Sequence, residues 1–121
     1  MILSIILMDR PLFEFVWLPT FERTAKKLLS EEDRRGIEDV ICADLEAGEL
    51  MKRTGGFRKL RHGPEGRGKR GGARVVYLPD AKAERVFMVL AYAKSGKATL
   101  TRREEEDLRR IARQVLSKDA I

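Results

Sequence analysis

Hydrophobic positions along the chain change period several times, and each change marks a predicted element. Phe13-Glu14-Phe15-Val16-Trp17-Leu18 is dense in aromatic and branched residues and is followed by Pro19, which predicts a strand that Pro19 ends. Thr20 then reads as a helix N-cap, with Phe21, Ala25, Leu28 and Leu29 along one helical face. Ser30 opens a second helix, and Asp33 three residues later is a shorter relative of the capping-box glutamate. Ile37, Val40, Ile41 and Leu45 form its apolar stripe, and Gly48 is placed to end it as the C′ residue.

Beyond Met51 the pattern becomes strand-like. Phe57 to Arg61 alternates and predicts a short strand with one cationic face. Ala73–Leu78 and Arg85–Ala93 are β-branched and apolar, and the turn-forming stretch Pro79 to Glu84 between them predicts an antiparallel hairpin. Thr101-Arg102-Arg103-Glu104 is a full capping-box sequence, and Leu108, Ile111, Ala112, Val115 and Leu116 continue at helical spacing. The order β-α-α-β-β-β-α predicts an α+β domain, an antiparallel sheet packed by two N-terminal helices with a C-terminal helix. No repeat and no long linker divides it, so residues 1–121 form a single domain.

The apolar run Met1 to Met8 is far shorter than the roughly 20 residues needed to span a bilayer, and it lacks the features of a signal peptide. Residues 1–11 are expected to be an added strand, a strand extension, or an over-extended start with Met8 as the initiator. No other segment targets or spans a membrane. One cysteine, Cys42, excludes an internal disulfide framework and fits a reducing cytoplasm.

Charge changes the picture from fold to function. The chain carries 25 Lys+Arg against 19 Asp+Glu, a net charge of +6 that points to a polyanionic partner. Nine of those cations and a single acid, Glu65, fall between Lys52 and Arg74, a local +8 that leaves the remainder at −2. Seven of the ten glycines fall there too, from Gly55 to Gly72. Glycine admits close backbone approach, so interleaving it with Arg and Lys makes a loop able to surround phosphates with charge and amide groups. Because Lys59, Arg61 and Arg74 carry the charge into flanking strands, the stretch reads as an anion-binding surface, with nucleic acid the commonest such anion.

Two nucleotide motifs in this stretch are coincidences of composition. Gly66 to Gly71 satisfies the dinucleotide fingerprint, and Gly63 to Lys69 nearly satisfies the phosphate-binding loop, but both need a strand before and a helix after. Here both flanks are strands, and Arg70 stands where the loop needs a hydroxyl. No metal site is legible either. His62 and Cys42 are the only residues of their kinds, and the acids crowd the helix starts, where the macrodipole favours them. Lys, Arg and Tyr remain. They suffice for a reaction in which RNA supplies its own nucleophile, the 2′-hydroxyl, and the protein accepts its proton, surrounds the phosphate with cations and protonates the leaving 5′-oxygen.

At these residues the sequence resembles the RelE/ParE toxin superfamily, and specifically its HigB-type branch. The resemblance lies in Gly56-Phe57-Arg58-Lys59-Leu60-Arg61, then Gly66 to Tyr77, then Phe87-Met88 and Ala91-Tyr92-Ala93-Lys94-Ser95, and in Leu100-Thr101 opening a helix. It covers the chain from about Phe13 onward. What it implies is a cytoplasmic type II toxin that cleaves mRNA in the ribosomal A site beside 16S rRNA. It further implies no metal or other cofactor, and a helix-turn-helix antitoxin of the HigA kind as partner. By the same resemblance Arg74 is the phosphate-binding arginine, with Arg61, Lys69 and Lys94 as further catalytic cations. Tyr92, Lys69 or Lys94 would carry protons, with His62 as an alternative, and Lys59, Arg67, Arg70 and Lys97 would bind RNA. A non-enzymatic gyrase inhibitor of the ParE kind and a plain RNA-binding module are the competing readings.

Overall fold

The sheet is built outward from the predicted hairpin, in a computed structural model that describes residues 13–63, 72–93 and 100–116. Strand β4 (Ala73–Asp80) and strand β5 (Arg85–Ala93) pair antiparallel across a four-residue turn. Strand β3 (Arg58–His62) lies antiparallel on the other side of β4, and a two-residue strand, β2 (Glu49–Leu50), pairs with β3 at Lys59 and Arg58. Strand β1 (Glu14–Trp17) closes the far edge, giving the order β1-β5-β4-β3-β2. The mixed α+β architecture is as expected, but one pairing is not: β1 runs parallel to β5. Helices α1 (Pro19–Ala25) and α2 (Glu31–Ala43) carry the chain from one sheet edge to the other, so β1 meets β5 only after three antiparallel steps. Crossover topology fixed that direction, and hydrophobic period does not encode it.

Local chemistry corrects two predicted boundaries. Helix α1 starts one residue before Thr20: Leu18 is its N-cap and Pro19 its first residue, where a missing N–H costs nothing and φ is preset. Thr20 is therefore inside the helix, and Thr24 one turn on uses its hydroxyl to accept from the Ala91 amide at 2.9 Å. That amide needs a partner because β1 ends opposite Met88. Helix α2 stops at Ala43 rather than beside Gly48, since Asp44 turns extended there. Gly48 instead packs under β3, where a Cβ would sit 2.9 Å from the Lys59 carbonyl oxygen. Ser30 and Asp33 form a complete reciprocal capping box on α2, and Thr101 and Glu104 do the same on α3 (Arg102–Val115).

Each sheet face has its own core. Phe21, Ala25, Ile37 and Ile41 of the two N-terminal helices pack on Leu60, Val75, Tyr77, Val86, Met88 and Ala91. On the other face Leu108, Ala112, Val115 and Leu116 meet Phe57, Val76, Leu78 and Leu90. Val40 and Ile111, expected in the apolar stripes, are 44% and 43% exposed. Tyr77 is fully buried, and its hydroxyl donates to the Leu45 carbonyl at 2.8 Å while accepting from the Gly48 amide at 2.9 Å. Burial pushes this phenol up, so it stays protonated and structural. Tyr77→Phe leaves both backbone groups unpaired and should lower unfolding free energy by about 1–3 kcal/mol, read from urea melts. No loss of stability would show that the loop before β2 is held by something else.

The predicted extra strand at residues 1–11 lies outside the described residues. Among those described, no helix is long and apolar enough to cross a membrane.

Candidate active site

A one-residue irregularity in the hairpin decides which side chains share a face. From the turn, β4 and β5 pair in step as far as Tyr77 with Met88, but the next pair is Val76 with Leu90, which leaves Val89 unmatched. Such a bulge flips every later residue of that strand relative to its partner. Without it Arg74 would face Ala91; with it Arg74 faces Tyr92. Strand β3 then sets Arg61 opposite Arg74. The three side chains form a row across the face that α3 packs against, since Tyr92 belongs to the α3-side core. Lys59, two residues before Arg61 on the same face, stands opposite Val76 of that core.

Among the described residues no ion pair compensates this row. Side chains directly opposite in an antiparallel pair stand about 5 Å apart at Cβ, and like charges there are destabilising. Arg61 is exposed, Arg74 is half-buried, and the Arg74 Nη1 atom is buried with no hydrogen-bond partner among the described residues. A buried guanidinium nitrogen without a partner carries a desolvation cost. Arg74 borders a cavity of about 530 Å³, together with Ala47, Glu49, Lys59, Leu60 and Arg61. The cavity adjoins a larger cleft of about 620 Å³ beneath the start of α3, with Lys59, Tyr92, Leu90, Leu100 and Leu108 among its walls. Burial pushes the Tyr92 phenol up while the Arg74 charge pulls the other way, and the net effect keeps it protonated. In that form it donates a proton rather than accepting one.

Other cations of the basic stretch serve the fold. Arg58 donates to the Gly48 carbonyl at 2.7 Å, closing the loop before β2, and Arg53 donates to Glu105 at 3.1 Å. His62 lies on the opposite face from the row, its Nε2 3.1 Å from Asp33 Oδ1 of α2. The Asp33 carboxyl is held low, first by the Ser30 amide and also by His62. His62 is therefore absent from the cluster that sequence reasoning allowed it to join. Lys69, Arg67, Arg70, Lys94 and Lys97 lie outside the described residues. The described strands end at His62, Ala73 and Ala93, which stand in register one pair beyond the Arg61–Arg74–Tyr92 row. The described elements before and after residues 64–71 are the antiparallel strands β3 and β4, whereas a nucleotide loop runs from a strand into a helix. Among the described residues no group of three or more His, Cys, Asp or Glu side chains could hold a metal ion.

Sequence reasoning missed Glu49. A two-residue strand carries no periodic signal, yet pairing with β3 places this carboxylate opposite Lys59 and on the walls of both cavities.

Comparison with known proteins gives the family. Residues 16–120 match the family model described as the RelE toxin of the RelE/RelB toxin–antitoxin system. Among solved structures the chain is similar to an arginine double mutant of the E. coli toxin RelE in the free state. Identity there is 14% over 86% of this chain and 98% of that one, with a TM-score of 0.49. With the family match running from β1 to beyond the end of α3, the chain belongs to the RelE family, the toxin component of a toxin–antitoxin system.

Proposed function

We propose that this toxin is a ribosome-dependent mRNA endonuclease that cuts through the RNA 2′-hydroxyl and so inhibits translation. The observation that carries the reading is the unneutralised Arg61–Arg74 pair, with its buried unpartnered nitrogen, on the wall of an open cavity. Fold stability gains nothing from two guanidinium groups set side by side. A phosphodiester placed between them satisfies both, and two Arg forks suit its equatorial oxygens. Lys59 extends the positive surface along the strand, and the protonated Tyr92 at the other end of the row is a donor for the leaving 5′-oxygen. The partners in this reading are mRNA in the ribosomal A site, flanked by 16S rRNA, and a HigA-like helix-turn-helix antitoxin that holds the toxin inactive. The protein acts in the cytoplasm, without metal.

Purified toxin incubated with mRNA should cut it only when ribosomes are present, leaving 5′-hydroxyl ends. A single 2′-deoxynucleotide at the cut position should block the reaction. Rapid cutting of naked RNA would overturn the ribosome requirement, and DNA breaks without loss of RNA would favour the gyrase-directed alternative.

A further inference from the structure

Among the described residues, the cationic cavity holds one proton acceptor. Of its six bounding residues, Ala47 and Leu60 are apolar and Lys59, Arg61 and Arg74 are cations. A guanidinium or an ammonium offers no lone pair, so none of the three can take a proton. Glu49 is left, on a strand so short that β3 runs past it and opens the notch in which Leu60 and Arg61 lie. Its register partner is Lys59, and those two residues are the ones that border both the phosphate cavity and the cleft beside Tyr92.

Neighbouring carboxylates are committed elsewhere. Glu104 accepts from the Thr101 amide at 2.9 Å in the α3 cap, and Glu105 accepts from Arg53 at 3.1 Å. Asp33 is on the far face with His62. The Glu49 side chain has no hydrogen bond or ion pair among the described residues, and the residue is exposed at the open cavity. Acid and base roles on one site need groups whose surroundings differ. Here a solvent-facing carboxylate and a half-buried phenol stand on either side of the arginine pair.

We propose that Glu49 is the general base of the cleavage, taking the proton from the attacking 2′-hydroxyl. The proposal rests on the nuclease reading and adds a residue to it. As the O2′–H proton passes to the Glu49 carboxylate, the O2′–P bond forms and the P–O5′ bond breaks. The 5′-oxygen leaves with a proton from the Tyr92 hydroxyl. The products are a 2′,3′-cyclic phosphate and a 5′-hydroxyl, and proton exchange with water resets both side chains. No electrons are gained or lost.

Glu49→Gln keeps the size and polarity of the side chain and removes its basicity. Single-turnover cleavage of ribosome-bound mRNA should fall about 10²- to 10⁴-fold, the range for loss of a general base. The acidic limb of the pH–rate profile should vanish with it. Binding to the programmed ribosome should be unchanged or tighter, because a negative charge leaves a positive pocket, and Glu49→Asp should recover part of the rate. Should Glu49→Gln cut at the wild-type rate with its acidic limb intact while the wild type cuts normally, the base assignment is wrong and the nuclease reading stands. Weakened binding with an unchanged rate of the bound complex would also overturn it, by making Glu49 a binding residue. A wild-type protein that fails to cut ribosome-bound mRNA overturns both.

Discussion

Arg74→Ala should fold as well as the wild type and lose mRNA cleavage by about 10²- to 10³-fold, the range seen when one preorganised donor to a developing charge is removed. Most substitutions of a half-buried arginine forfeit hydrogen bonds and packing. At this position the guanidinium faces a second one across the strand pair, and its Nη1 is buried without a partner. Deleting it removes an electrostatic penalty and a desolvated donor, which offsets the packing lost with the aliphatic stem. A thermal midpoint within a few degrees of the wild type, together with lost growth arrest on expression, is the combination a phosphate-binding role requires. Arg74→Lys retains the charge but not the two-pronged donor and should recover only part of the activity. A folded Arg74→Ala protein that still arrests growth at full strength would remove the central residue of the proposed mechanism.

That pairing also marks where sequence reading succeeds and where it stops. Elements stabilised by local chemistry are legible: the Ser30 and Thr101 caps, the 73–93 hairpin, and the helical stripes that bury Phe21, Ile37, Ile41 and Ala112. Their periods are short, and the residues that specify them are adjacent in the chain. The concentration of charge between Lys52 and Arg74 is equally plain in the sequence. Which of those charges form a site is not. Arg53, Arg58, Arg61 and Arg74 look alike as letters, yet the first pairs with Glu105 of α3, the second closes the loop before β2, and the last two stand unneutralised among the described residues. The difference arises from register, and register depends on a bulge at Val89 that no local pattern announces. A single residue fewer in β5 would turn Tyr92 to the opposite face, away from Arg74. Strand β2 was missed for a related reason. Two residues carry no period, so Glu49 acquires its position only from pairing with β3. Parallel pairing of β1 likewise follows from how α1 and α2 cross the sheet, a long-range property.

Gly72→Ala should be the most damaging single methyl in the described part of the chain. Gly72 has φ of +64°, and a Cβ built there lies 2.1 Å from the His62 carbonyl oxygen and 2.4 Å from Gly63 Cα. Both are backbone atoms, so no side chain can swing aside to relieve the contact. Left-handed backbone alone costs an alanine about 1–2 kcal/mol. Relief of the overlap requires β3 and β4 to part at the His62–Ala73 pair, for a combined loss of about 3 kcal/mol or more. At roughly 3–5 °C per kcal/mol for a domain of this size, the thermal midpoint should fall by about 10 °C or more. Gly56→Ala isolates the two contributions: its φ is +125°, but the nearest atom to a new Cβ is Leu78 Cδ1 at 3.5 Å, so it bears strain without the clash. It should lose clearly less stability than Gly72→Ala, and equal losses would mean that the His62 contact is not what limits this position. The functional consequence separates position from stability. Arg61 and Arg74 form the very next pair along the ladder, so parting the strands at Gly72 spreads the two guanidinium groups. Tyr77→Phe loosens the domain from the opposite face, leaving that pair in place. At a temperature where both variants remain folded, Gly72→Ala should therefore have lost far more cleavage than Tyr77→Phe. Equal activities would show that catalysis does not depend on how closely the two arginines are held.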